Sequence, residues 1–287
     1  MTSACSTSQH YVKLSEAGSA YTGSVAALAD RASLLHVEAS SYELLDQRLD
    51  DNGRVMPKSR LKDLLNNTNS SDSKAVERNL RTKKVALNLQ DYFKALQEHA
   101  ASTASSDIGI KADGLVKKLN EAIRDAGGTL PSGATGLSGV VALAAKHQRE
   151  AILKKELIVR KQSIISALHI FHEMDSLMTN QIAGDADTIR RGRLKMLITP
   201  FYTDGNASMG MNAELVDAWV SRRRDHLLGS ITEKENRQLT DTAKKNADTF
   251  REIFIKMTSN QERTVTIDDL NALIDDCTAF SGFIKSF

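Results

Sequence analysis

The chain has 287 residues, 41% hydrophobic, 26% charged and only 5% aromatic, with three prolines and a formal net charge of +2. Scarce proline permits long helices, and scarce aromatics argue against sandwiches and barrels. Near-balanced charge gives no global field for nucleic acid, and no run reaches the roughly 18 apolar residues of a membrane-spanning helix.

The first long element is the clearest signal. From Tyr11, spacings of three and four pick out Leu14, Gly18, Tyr21, Val25, Leu28, Ala32, Leu35, Ala39 and Tyr42, a heptad seam. About 39 helical residues would make a rod of roughly 58 Å. Gly18, Ala32 and Ala39 on that seam predict close approach of a partner helix. Gly53 in DDNG suits a helix stop, and Pro57 opens a short helix through Leu61, Leu64 and Leu65. NNTNSSDS at 66–73 reads as a polar turn before a second long helix over 72–103. Val76, Leu80, Leu87, Phe93 and Leu96 are its expected inward residues.

A modest helix follows through Ile110, Leu115, Leu119 and Ile123. GGTLPSGATG at 127–136 is the clearest break in the chain. The longest candidate helix spans 137–197 and is expected to be the spine of the molecule. Leu153, Leu157, Ile164, Leu168, Phe171, Met178 and Ile182 hold its core stripe, which Ile158, Ile165, Met174 and Leu177 widen. Gly184 and Gly192 are its expected bends. Residues 198–212 read as a loop around Pro200, with Asn212 capping a helix through Leu215, Trp219 and Leu227. Ser230 with Glu233 and Thr266 with Asp269 have capping-box spacing. They open helices facing inward through Leu239, Ala243, Phe250, Phe254 and Met257, and through Leu270, Ile274, Cys277 and Ile284. No strand pattern and no repeat emerges. The expected fold is all-α: an elongated antiparallel bundle with long coiled-coil-like helices. Residues 1–10 read as a flexible tether and 11–287 as one bundle with a seam near 127–136.

Chemistry is sparse. His169 and His172 could face one side of a helix, but HIFHE matches neither zincin order and lacks a third ligand, so no metal or cofactor is assigned. Neither GxGxxG, P-loop nor GxSxG occurs, and no enzymatic activity is expected. Arginines cluster as Arg190, Arg191 and Arg193 and as Arg222, Arg223 and Arg224. The two groups could meet at one end of a hairpin and hold phosphates, an acidic partner or lipid headgroups. Otherwise they form a solvated face paired with Asp185, Asp187, Asp217 and Asp225. SGATGLSGVVALAA at 132–145 is apolar and glycine-rich but too short to span a bilayer.

Cys5 and Cys277 form no metal or disulfide set, and Cys277 reads as a core residue. Thr2-Ser3-Ala4-Cys5 resembles the end of a bacterial lipobox, although the leucine favoured in that motif is replaced by Thr2. The resemblance covers four residues and implies a bacterial lipoprotein, with Cys5 acylated and Ser6–Gln9 as tether. No apolar h-region precedes Cys5, and Met1 reads as a start that replaces a removed signal peptide. The resulting expectation is a non-enzymatic envelope protein on the periplasmic face of a membrane. It would be held by its lipid alone and bind a protein or envelope component, with no nucleic acid. The alternatives are a membrane-active pore-forming helical protein and a cytoplasmic helical scaffold.

Overall fold

The computed structural model describes residues 3–48, 54–101, 108–130, 146–200, 213–228, 233–259 and 261–286. Among them the fold is all-α: α1 (Ser3–Asp46), α2 (Lys58–Ala101), α3 (Ile108–Asp125), α4 (Lys146–Arg193), α5 (Ala213–Leu228), α6 (Glu233–Met257) and α7 (Ile267–Ser286). A π-helical turn, Leu194–Ile198, continues α4, and a 3-10 turn, Glu262–Thr264, precedes α7. Helix α1 begins at Ser3, so the Ser6–Gln9 segment expected as a tether is helical.

Every seam residue of α1 from Tyr11 to Ala39 is buried, and Tyr42 is half-buried. Burial spreads beyond the seam to Ser15, Ala17, Thr22, Ser24, Ala29 and Ser33. Small residues let neighbours approach on several sides, and their hydroxyls would be costly to bury unpaired. The helix satisfies them itself: Ser15 donates to the Tyr11 carbonyl at 2.9 Å, Thr22 to Gly18 at 2.7 Å, Ser24 to Tyr21 at 2.7 Å and Ser33 to Ala29 at 2.9 Å. Helix α1 packs against α2, α4, α6 and α7, so it shares the central position expected of the 137–197 helix.

Cross-helix contacts set the directions. Gly18 meets Phe93 and Lys83 reaches back to Asp30 at 2.7 Å, so α1 and α2 are antiparallel. Tyr21 meets Phe171 and Tyr42 meets Gly192, so α1 and α4 run parallel. Lys154 pairs with Glu262 at 2.7 Å and His172 lies 3.9 Å from Asp248, which sets α6 antiparallel to α4. One core cluster centres on Tyr21, Phe93, Phe171, Phe250 and Phe254. A second lies further along α1, with Leu28, Leu35, Met178, Ile182, Leu239 and Phe280.

Three expectations are corrected. Residues 66–73 do not turn, because α2 is continuous from Lys58 to Ala101; no glycine or proline interrupts that stretch, and polarity alone is weak evidence of a break. Leu80 and Leu87 stay 47% and 39% exposed, and the buried face is Asn79, Thr82, Val85, Ala86, Leu89, Tyr92, Phe93 and Leu96. Polar residues at two inward positions disguised that register. On α4 the core stripe holds, but Ile158 and Leu177 remain exposed, so it widens only through Ile165 and Met174. Gly184 and Gly192 sit within the helix.

Candidate functional site

Where the C-terminal ends of α1 and α4 lie side by side, they leave a cavity of about 440 Å³. Tyr42, Glu43, Asp46 and Gln47 line it from α1, Thr188, Arg191 and Gly192 from α4, and Lys195 and Met196 from the π-turn. Gly192 shapes its wall: a Cβ there would lie 2.6 Å from Cβ and Cγ of Tyr42, so only glycine lets the tyrosine settle against the α4 backbone. The Thr199 N–H donates to the Leu194 carbonyl at 2.8 Å, closing the π-turn. Such turns recur at functional sites. Lys195 pairs with Asp46, and Arg191 Nε lies 3.1 Å from Asp187. The site is thus polar and charge-balanced, with Tyr42 and Met196 supplying apolar surface.

The first arginine cluster is split. Arg190 donates to Asp187 at 2.7 Å, Arg191 lines the cavity, and Arg193 reaches across to Glu38 at 2.7 Å. Burial works against the Arg193 charge, but Glu38 and Tyr42 together outweigh it and raise the guanidinium above its ordinary pKa. Arg222, Arg223 and Arg224 are exposed on α5, where Arg224 donates to Ser221 at 3.2 Å. Helix α5 packs on the π-turn and α4, with Trp219 donating to the Ile198 carbonyl at 3.3 Å. The second cluster therefore lies at the same end of the bundle as the cavity. Of the expected acidic partners, Asp187 serves the arginines, whereas Asp185 faces His36.

His169 is exposed and His172 half-buried. Among the described residues no group of three His, Cys, Asp or Glu side chains is placed to share a metal ion. No helix among them is long and apolar enough to cross a membrane. The side chain of Cys5 and the run 132–145 lie outside the described residues.

Two polar groupings escaped the sequence. His36 lies between two carboxylates, 3.4 Å from Asp72 through Nε2 and 3.4 Å from Asp185 through Nδ1, and Ser40 donates to Asp72 at 2.6 Å. This ties α1, α2 and α4 together. Burial outweighs the histidine's pull and raises the Asp185 carboxyl above its usual range. Asp175, 4% exposed on the core stripe of α4, is raised further by burial and by Asp248. Its Oδ1, the Tyr21 hydroxyl and the Asn246 amide form no hydrogen bond among the described residues. The only sequence signal for this group was an aspartate among Phe171, Met174 and Met178. No protein family, curated protein or solved structure matches the chain.

Proposed function

We propose that this chain is a non-enzymatic binding protein of the bacterial cell envelope, held to a membrane by a lipid on Cys5, that receives a protein partner in the cavity between α1 and α4. The observation that carries this reading is the continuity of α1, which joins Cys5 to the cavity in one helix from Ser3 to Asp46. By helical rise, Tyr42 stands about 55 Å along the rod from Cys5. An anchor at one end and a recess at the other is the arrangement of a surface-mounted receptor. Paired charges around Tyr42 and Met196 suit a polypeptide segment, which brings both polar backbone and apolar side chains. The exposed arginines of α5 add a flank complementary to an acidic surface on the partner.

Metabolic labelling of the full gene product with an alkyne fatty acid tests the anchor. Label in the wild type and none in Cys5→Ser is expected; label absent from the wild type, or equal in both, overturns it. Photo-crosslinking from position 47 in cells tests the recess. A discrete adduct that disappears on Thr188→Trp is expected, and an adduct indifferent to that substitution counts against it.

A further inference from the structure

A second cavity, of about 260 Å³, lies between α2, the turn after α3, and α4. Its chemistry is the opposite of the first. Lys74, Arg78 and Arg81 recur at four and three residues on α2, which puts them on one helix face. The carboxylate lining the cavity with them is Glu77, already 3.2 Å from Arg81. Ala126, Ile170 and Met174 supply an apolar floor beside Thr82. Two guanidiniums are oriented by neutral acceptors: Arg78 donates to the Gln181 amide oxygen at 3.2 Å, and Arg81 to the Asp125 main-chain carbonyl at 3.4 Å. Such bonds fix direction without cancelling charge. Among the described residues no carboxylate forms an ion pair with Lys74 or Arg78.

We propose that this cavity binds a soluble phosphate monoester carried on a short apolar body. Three cations against one carboxylate leave two uncompensated positive charges, and a phosphate monoester carries about −1.5 to −2 at neutral pH. Guanidiniums match phosphate oxygens through paired N–H donors. The apolar body lies on Ile170 and Met174, where the flexible thioether adapts to its shape. A bare inorganic anion leaves that floor unused, and a neutral alcohol leaves the cations unsatisfied.

Calorimetry on the full chain at low salt, with hexyl phosphate, inorganic phosphate and hexanol as probes, tests the assignment. Hexyl phosphate is expected to bind saturably and about tenfold tighter than inorganic phosphate, a difference of about 1.4 kcal/mol, with no heat from hexanol. Arg78→Gln and Lys74→Gln, both at exposed positions, should each weaken it about fivefold without moving the thermal midpoint, and Arg223→Gln should leave it unchanged. The proposal falls if hexyl phosphate gives no saturable binding, if inorganic phosphate binds equally well, or if neither α2 variant weakens it. Vesicles containing phosphatidic acid separate a soluble ligand from a lipid headgroup. Pelleting insensitive to Arg78→Gln is expected, whereas sensitive pelleting without hexyl phosphate binding overturns the soluble source.

Discussion

Gly18 and Gly184 both lie inside long helices, yet they predict opposite mutational signs. A Cβ on Gly18 would come within 2.6 Å of the fully buried Phe93 ring, whereas nothing lies within 4 Å of one on Gly184. Gly184→Ala should therefore gain helix propensity and stabilise by about 0.5–1 kcal/mol. Gly18→Ala gains the same propensity but must displace Phe93, which packs edge-on to Phe250 and Tyr92. Overpacking of about 1–3 kcal/mol leaves it net destabilised. Urea midpoints of the two variants should move in opposite directions. Asp175 carries a prediction of another kind. Its carboxyl is raised well above the ordinary value by burial and then by Asp248, so between the unfolded and folded pKa the native state holds a proton that the unfolded state has released. The contribution of Asp175 is thus fullest at or below about pH 4 and falls by up to about 1.4 kcal/mol per pH unit as pH rises through that window. Asp175→Asn should flatten this slope and gain on the wild type in neutral and alkaline buffer, as read by the urea midpoint against pH.

Element ends were legible where the chemistry is local. Thr266 and Asp269, three apart, form the reciprocal cap their spacing predicts: the Asp269 N–H donates to Thr266 Oγ1 at 3.1 Å, and the Thr266 N–H to Asp269 Oδ2 at 2.8 Å. The Thr266 N–H and the Thr266 hydroxyl, both donating to Oδ2, hold the Asp269 carboxyl below its usual range. Thr266→Ala should cost about 0.5–2 kcal/mol, measured as a lower thermal midpoint. The contribution of Asp269 is present above its unfolded pKa near 3.9 and is lost as pH falls through the folded value. The glycine pair after α3 is equally local: Gly127 takes φ +83°, and the Gly128 N–H donates to the Ile123 carbonyl at 2.8 Å, which closes the helix. Gly127→Ala is expected to cost about 1–2 kcal/mol. Register was harder to read wherever burial and hydropathy part company. Asn79 and Thr82 face inward on α2 while Leu80 and Leu87 face water, so those two leucines mark the wrong side where Phe93 and Leu96 mark the right one. Both cavities were beyond reach because each is assembled from residues far apart in the chain. Arg191 was singled out for its neighbours in sequence, not for Tyr42 and Asp46, which border it in space.

At the scale of the molecule, α1 contributes to both core clusters. Loosening either exposes part of the same helix, which favours one cooperative transition for the main bundle. Helix α5 stands apart, touching only the π-turn and α4 among the described residues, and it carries the sole tryptophan. Trp219 fluorescence should therefore change at lower denaturant than far-UV dichroism. In a Cys5→Ser background, alkylation of Cys277, whose thiol is pushed up to about 12 by burial and Asp276, should instead follow the dichroism. Coincidence of all three curves would contradict the peripheral docking of α5.

Because Ser15, Thr22, Ser24 and Ser33 each bond to their own helix, they do not sense which neighbour lies opposite. A slide of one heptad, about 10.5 Å along the axis, would leave every one of those bonds intact. Two steric detents oppose it. Phe93 seats on Gly18, while seven residues away in either direction it would meet Tyr11 or Val25, and Tyr42 seats on Gly192. The hydroxyls thus leave the alignment of the rod to its cross-helix contacts, and the two glycine seats, the His36 ties to Asp72 and Asp185 and the Glu38–Arg193 pair together set Tyr42 in the cavity wall.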